Sequence, residues 1–159
     1  MGKKMLIIIG SIVVLFIALF FVIDYKNNQA LENSDNPYGT NNLQQSTIDQ
    51  LNDPLYQNQI LPDELNEKIS NGEDVTVYFY SPECVYCLNT TPYLAPLAED
   101  MNVDMKKFNL LEFGQQGLGY GIESTPTVVH YENGEEVSRL VGQYPENEYE
   151  AFFNEYVLN

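Results

Sequence analysis

The sequence predicts an α/β domain, a central mixed sheet flanked by helices, carried behind one N-terminal transmembrane helix. Three observations lead there. Residues 5–23 form an uncharged apolar run, and strand-patterned and helix-patterned segments alternate from Leu55 onward. Asn133-Gly134 joins two β-patterned runs, and that dipeptide is the mark of a tight hairpin because its turn needs positive φ. A strand–helix–strand half followed by a hairpin and a closing helix makes an α/β sandwich around a mixed sheet.

At about 1.5 Å per residue, the run 5–23 nearly matches a hydrocarbon core of about 30 Å. A cleaved signal peptide has a shorter apolar region, about 7–15 residues, and a small-x-small cleavage site. No convincing site is present, and no cysteine follows that could carry a lipid. The run therefore reads as an uncleaved signal anchor behind a cytoplasmic tail, residues 1–4. Lys3 and Lys4 before it and Asp24 after it place the amino terminus in the cytoplasm and the rest outside, with Lys26 counting against. Outside the cytoplasm disulfides form and persist. From residue 24 to 54 the composition turns to Asn, Gln, Ser and Asp, with a turn signal at Pro37-Tyr38-Gly39. Apolar residues recur at no period, which predicts a flexible linker of roughly 30 Å mean reach.

The domain is expected over residues 55–159. Leu61, Leu65 and Ile69 recur every four residues behind Pro62-Asp63-Glu64, a helix start, and Asn71-Gly72 ends that helix. The run from Val75 to Tyr80 is β-branched and aromatic throughout, as in a buried central strand. It leads directly into Ser81-Pro82-Glu83-Cys84-Val85-Tyr86-Cys87 and then a helix. That helix has Leu88, Leu94, Leu97, Ala98 and Met101 as candidate buried positions and is bent by Pro92 and Pro96. A second core strand is expected over 103–110, and the hairpin strands over 127–131 and 136–141. Tyr149, Phe152, Phe153, Tyr156 and Val157 mark one face of a closing helix.

Charge narrows the functions. Seven Lys/Arg stand against 23 Asp/Glu, a formal net charge of −16, and every acid lies at or after Asp24. Nucleic-acid binding needs a basic footprint and is excluded. Such a surface also stands off anionic headgroups. There are only two cysteines, three positions apart, which is no disulfide framework. A structural zinc site needs four ligands, and the single His130 supplies at most a third. The pair points to redox chemistry, with metal delivery through two thiolates left as an alternative.

Several separated features together resemble the thioredoxin family over roughly residues 55–158. C-x-x-C follows a core strand and opens a helix, and Pro92 lies five residues after Cys87, at the family's helix-kinking proline. Residues 120–127, Tyr-Gly-Ile-Glu-Ser-Thr-Pro-Thr, resemble the segment bearing the family's cis-proline, here Pro126, 42 residues after Cys84. The Asn-Gly-Glu turn at 133–135 and Val141-Gly142 also fall at family positions. The anchored arrangement is similar to extracytoplasmic thioredoxin-like proteins of Gram-positive bacteria. The resemblance implies a thioredoxin-like fold with Cys84 and Cys87 as a redox-active, reversibly disulfide-bonded pair. Only a thiolate attacks a disulfide. Cys84, expected in the first turn of its helix, where free N–H groups favour an anion, is the implied nucleophile. Cys87 is the implied resolving thiol. A cis Thr125-Pro126 bond lets the backbone of Thr125 face a substrate chain as one added strand. Val85 and Tyr86 then border that substrate, while Tyr86 and Tyr93 are each candidates for either core or groove.

Two departures from the family pattern bear on rate and direction. Tyr78 stands where thioredoxins commonly carry a buried acid, leaving Lys107 to lose its usual partner or find another. Glu83 stands where they commonly have tryptophan, and a carboxylate there should raise the Cys84 pKa. Val85-Tyr86 brings neither the proline of reducing thioredoxins nor a histidine, and the expected potential is moderate to reducing. His130 reads as an ordinary strand histidine. The leading expectation is a thiol–disulfide oxidoreductase acting on exported or cell-envelope proteins and peptides, with no organic cofactor or metal and with a membrane thiol redox partner. The alternatives are a non-enzymatic accessory module, resembling bacteriocin-transport accessory proteins, and a carrier of copper or zinc.

Overall fold

A computed structural model of the chain describes residues 2–33 and 36–158. Met1 of the expected tail, residues 34 and 35 of the expected linker and Asn159 of the domain lie outside the described residues. The first unit is a single helix, α1 (Lys3–Asn33), whose apolar side chains are exposed along its length. Its 31 residues give about 46 Å at 1.5 Å per residue, long and apolar enough to cross a membrane. α1 does not stop at the end of the apolar run. From Asp24 to Asn33 the chain holds no glycine or proline, so nothing breaks the backbone hydrogen-bond ladder.

The second unit begins at Asn36, which further corrects the expected flexible linker over 24–54. Asn36 folds the turn at Pro37–Gly39: its Oδ1 accepts from the Tyr38 N–H at 3.0 Å and its Nδ2 donates to the Thr40 carbonyl at 2.9 Å. The helix α2 (Gln45–Gln50) and a 3₁₀ turn at Pro54–Tyr56 follow. Tyr38, Thr47, Ile48, Leu51 and Tyr56 are all buried. Part of what holds this segment down is polar. The buried Asn109 donates from Nδ2 to the Tyr38 hydroxyl and to Thr47 Oγ1, each at 3.1 Å. Hydrophobic periodicity does not register a contact of that kind.

Four strands form the sheet: β1 (Val75–Tyr80), β2 (Met105–Asn109), β3 (Thr127–Glu132) and β4 (Glu135–Val141), in the order β2-β1-β3-β4. β1 pairs parallel with β2 and antiparallel with β3, so the sheet is mixed as expected. Every residue of β1 is buried, as befits a central strand covered on both faces. Residues 58–60 run beside β2, with Ile60 N–H to Lys107 C=O and Lys107 N–H to Asn58 C=O both at 2.9 Å.

Alternation along the strands sorts the core into two layers. Tyr78, Tyr80, Met105 and Val128 face α4 (Val85–Asp100) and α6 (Glu146–Tyr156), where Leu94, Ala98, Tyr149 and Phe153 meet them. Val77, Phe79, Phe108 and Val129 face the other way, against Leu65 of α3 (Pro62–Ser70) and Ile122 beyond α5 (Gly114–Gly119). The β3–β4 hairpin turns on Asn133 and Gly134, with φ of 53° and 79°, the left-handed pair that a tight hairpin requires. One expected core position is corrected: Leu88 is exposed. The buried face of α4 is set by Cys87, Thr91, Leu94 and Ala98 at helical spacing, and Leu88 lies about 100° round from Cys87.

Asn109 makes a third hydrogen bond, accepting the Leu111 N–H on Oδ1 at 2.9 Å. Asn109→Ala leaves buried partners unpaired, and we expect a loss of about 2 kcal/mol or more in denaturant unfolding. Earlier proteolytic cleavage within residues 36–56 should accompany it. An unchanged midpoint and cleavage pattern would show that this segment is held by other contacts.

Candidate active site

The carboxyl end of β1 delivers the chain into a tight turn. Cys84 N–H donates to the Ser81 carbonyl at 3.1 Å and Glu83 N–H to Ser81 Oγ at 3.3 Å. Cys84 then caps α4 rather than lying in its first turn, with extended backbone at φ −82° and ψ 116°. Its Sγ accepts the Cys87 N–H at 3.3 Å. The sulfur thus fills the place that a serine or aspartate oxygen takes at other helix starts, satisfying one of the unpaired N–H groups there. Cys84 is half-buried, Cys87 fully so, and both are free thiols.

The two sulfurs are driven in opposite directions. Burial pushes the Cys84 thiol up, but hydrogen bonds from the Cys87 thiol, the Thr125 side chain and the Cys87 and Tyr86 N–H groups outweigh it, and the net shift is down. Cys87 is pushed up to about 12, first by burial and then by its bond to Cys84. The two shifts are opposed: the Cys84 thiol is made easier to ionise and Cys87 harder. The rise expected from Glu83 does not set the net direction of the Cys84 shift, which is down. The Glu83 carboxylate accepts the Ser46 hydroxyl at 2.7 Å, and the hydrogen bonds around the sulfur decide the direction.

The Thr125-Pro126 peptide is cis, and it lies against the dithiol. Cys84 Sγ sits 3.4 Å from the Thr125 carbonyl oxygen. Pro126 is buried, and its own carbonyl accepts the Gly142 N–H at 2.7 Å. Val85 and Tyr86, about 60% and 59% exposed, stand in solvent beside Cys84. Tyr86 is therefore not core. Tyr93 is: its hydroxyl donates to the Tyr144 carbonyl at 2.6 Å and its ring packs on Tyr149. His130 is buried on β3, bonded through Nδ1 to Thr76 Oγ1 at 2.9 Å. Thr76 is at the start of β1, the end away from Cys84.

Beneath Cys87 the structure shows a residue that the sequence reading passed over. Thr91 Oγ1 donates to the Cys87 carbonyl at 2.8 Å, so its only hydrogen is spent. The contact of 3.1 Å with the Tyr78 hydroxyl must then have Tyr78 as donor. Threonine four residues after Cys87 in a helix is the local signal that could have found it. Burial raises the Tyr78 pKa far above any accessible pH, so Tyr78 stays a neutral phenol. Lys107, without a carboxylate in Tyr78's place, donates to the Gln57 carbonyl at 2.8 Å. Burial pushes it down to about 8, against the pull of Asp104 and Glu99. Among the described residues no group of three or more His, Cys, Asp or Glu side chains is placed to hold a metal ion.

The family model described as thioredoxin matches residues 57–155. The chain is 31% identical over 93 residues to the thioredoxin of Porphyra purpurea, covering 57% of this chain and 87% of that one. It is 30% identical over 92 residues to the thioredoxin of Mycoplasma genitalium, covering 57% and 90%. Among solved structures, a mutant thioredoxin from Halobacterium salinarum NRC-1 matches with a TM-score of 0.53 at 28% identity, over 62% of this chain and 86% of that one. Fasciola hepatica thioredoxin shares the fold with a TM-score of 0.53 at 24% identity, over 59% and 92%.

The opposed shifts predict the pH dependence of labelling. A lowered folded pKa means that thiolate forms at lower pH, so Cys84 should be alkylated with a midpoint below that of an ordinary cysteine. Cys87 should stay unlabelled until strongly alkaline pH. Peptide-level mass spectrometry after iodoacetamide pulses reads both, and equal labelling of the two thiols would contradict this assignment.

Proposed function

The chain belongs to the thioredoxin family and is a thiol–disulfide oxidoreductase; from that premise we propose that Cys84 and Cys87 are its working dithiol, exchanging disulfides in exported or cell-envelope proteins. The observation that carries this reading is the seat of the Cys84 sulfur: 3.3 Å from the Cys87 N–H at the cap of α4 and 3.4 Å from the carbonyl of Thr125.

The Cys84 thiolate attacks one sulfur of a substrate disulfide. That S–S bond breaks, a mixed disulfide forms, and the departing substrate sulfur leaves as a thiolate and takes a proton. Cys87 then loses its proton and attacks the Cys84 sulfur. The products are a Cys84–Cys87 disulfide and a second substrate thiol, with two electrons passed to the substrate. A substrate dithiol meeting the Cys84–Cys87 disulfide runs the same steps backwards. Thr125 offers backbone groups to an extended substrate segment beside the cis-proline, Pro126, and Val85 and Tyr86 give exposed apolar surface next to it. The buried Tyr78 offers no carboxylate to remove the Cys87 proton, and the substrate thiolate released in the first step takes that proton instead.

In this reading α1 is the membrane anchor, with residues 1–4 and their Lys3 and Lys4 inside and the catalytic domain outside, where a membrane thiol partner resets the dithiol. The apolar run 5–23 and the order Lys3, Lys4, then Asp24 support it.

Cys87→Ala removes the resolving step and should accumulate mixed disulfides between Cys84 and substrate proteins. These should be seen as thiol-sensitive high-mass species on non-reducing gels of the membrane fraction. Adding Cys84→Ala should abolish them. Absence of trapped species from the Cys87→Ala protein would count against exchange and favour the accessory-module alternative.

A further inference from the structure

α2 is tied to the turns that follow two of the core strands. Gln44 N–H donates to Glu112 Oε1 at 2.9 Å, beyond β2, and Ser46 Oγ donates to Glu83 Oε1 at 2.7 Å, beyond β1. Ser46 is not a loose surface serine. The next two residues, Thr47 and Ile48, are buried, and Thr47 is held by Asn109. Its hydroxyl is thus fixed in space on an anchored helix. Glu83 is exposed and immediately precedes Cys84. Its carboxylate is the charge nearest to Cys84 in sequence, and a second negative charge close to the sulfur opposes ionisation.

We propose that Ser46 is a positioning residue for the thiol chemistry of Cys84: by hydrogen-bonding the Glu83 carboxylate it tethers that charge to α2 and keeps it from the sulfur. α2, which adds no strand to the sheet, thereby tunes the nucleophile. The Ser46 hydroxyl donates to Glu83 Oε1 at 2.7 Å, while the hydrogen bonds that lower the Cys84 pKa come from Cys87, Thr125 and Tyr86. That is the arrangement expected while the tether is in place. The proposal rests on the reading of Cys84 as nucleophile and adds a residue to it.

The test is the pH profile of Cys84 alkylation in the full-length chain, in detergent, for the unmodified protein, Ser46→Ala, Ser46→Thr and Ser46→Ala/Glu83→Gln. Ser46→Ala should shift the midpoint upwards and slow alkylation at fixed pH below it by about threefold, the scale of one exposed charge. Ser46→Thr keeps the hydroxyl and should restore the original profile. Ser46→Ala/Glu83→Gln should restore it too, because the freed charge is gone. A Ser46→Ala profile identical to that of the unmodified protein overturns the proposal. So does an upward shift that persists in Ser46→Ala/Glu83→Gln, since that would be a folding effect. If the unmodified protein itself shows no preferential alkylation of Cys84, the reading of Cys84 as nucleophile fails instead.

Discussion

The Cys84 sulfur caps α4 while Cys87, one turn on, keeps its proton. Much of the remaining architecture serves that contact. β1 is central and wholly buried, so the turn at its end is anchored on both faces. The cap geometry aims a backbone N–H at the sulfur, an interaction of about 1 kcal/mol at an ordinary helix start. Burial works against both thiols, but unequally: Cys84 is half-exposed and Cys87 is fully covered. On the exposed sulfur the hydrogen bonds win; on the covered one burial wins. The same helix start thus lowers the pKa of one thiol and raises that of the other, as the proposed exchange requires.

The tyrosine and threonine beneath Cys87 are neutral groups. Tyr78 stacks on Tyr80 with ring centroids 5.6 Å apart and donates to Thr91, which in turn braces the Cys87 carbonyl. A phenol held this way stiffens the start of α4 but neither donates nor accepts a full charge. Lys107 donates to the backbone carbonyl of Gln57. In the proposed exchange, Tyr78 leaves no carboxylate here to deprotonate Cys87.

Much of this was legible in the residues. The strand run Val75 to Tyr80, the hairpin at Asn133-Gly134 and the aromatic face of α6 carry strong period-2, turn and period-3.6 signals, and each formed the element its pattern demands. Leu88 was misplaced because in a helix opened by two cysteines and bent by two prolines, a leucine's apolarity says little about which face it takes. The segment 36–54 was misread for a different reason. It is anchored partly through Asn109, Tyr38, Thr47 and Ser46, polar groups bonding to partners 37 to 71 residues away, and no periodicity encodes such pairings. Cys84 itself caps α4 instead of lying in its first turn.

Equilibrating the full-length chain with graded ratios of reduced and oxidised glutathione tests the central claim most directly, that Cys84 and Cys87 act as one redox pair. The account predicts a single two-electron transition between the dithiol and an intramolecular Cys84–Cys87 disulfide, at a potential well below the strongly oxidising end, about −120 mV. Two thiols that instead collect glutathione independently, with no intramolecular disulfide at any ratio, would contradict it.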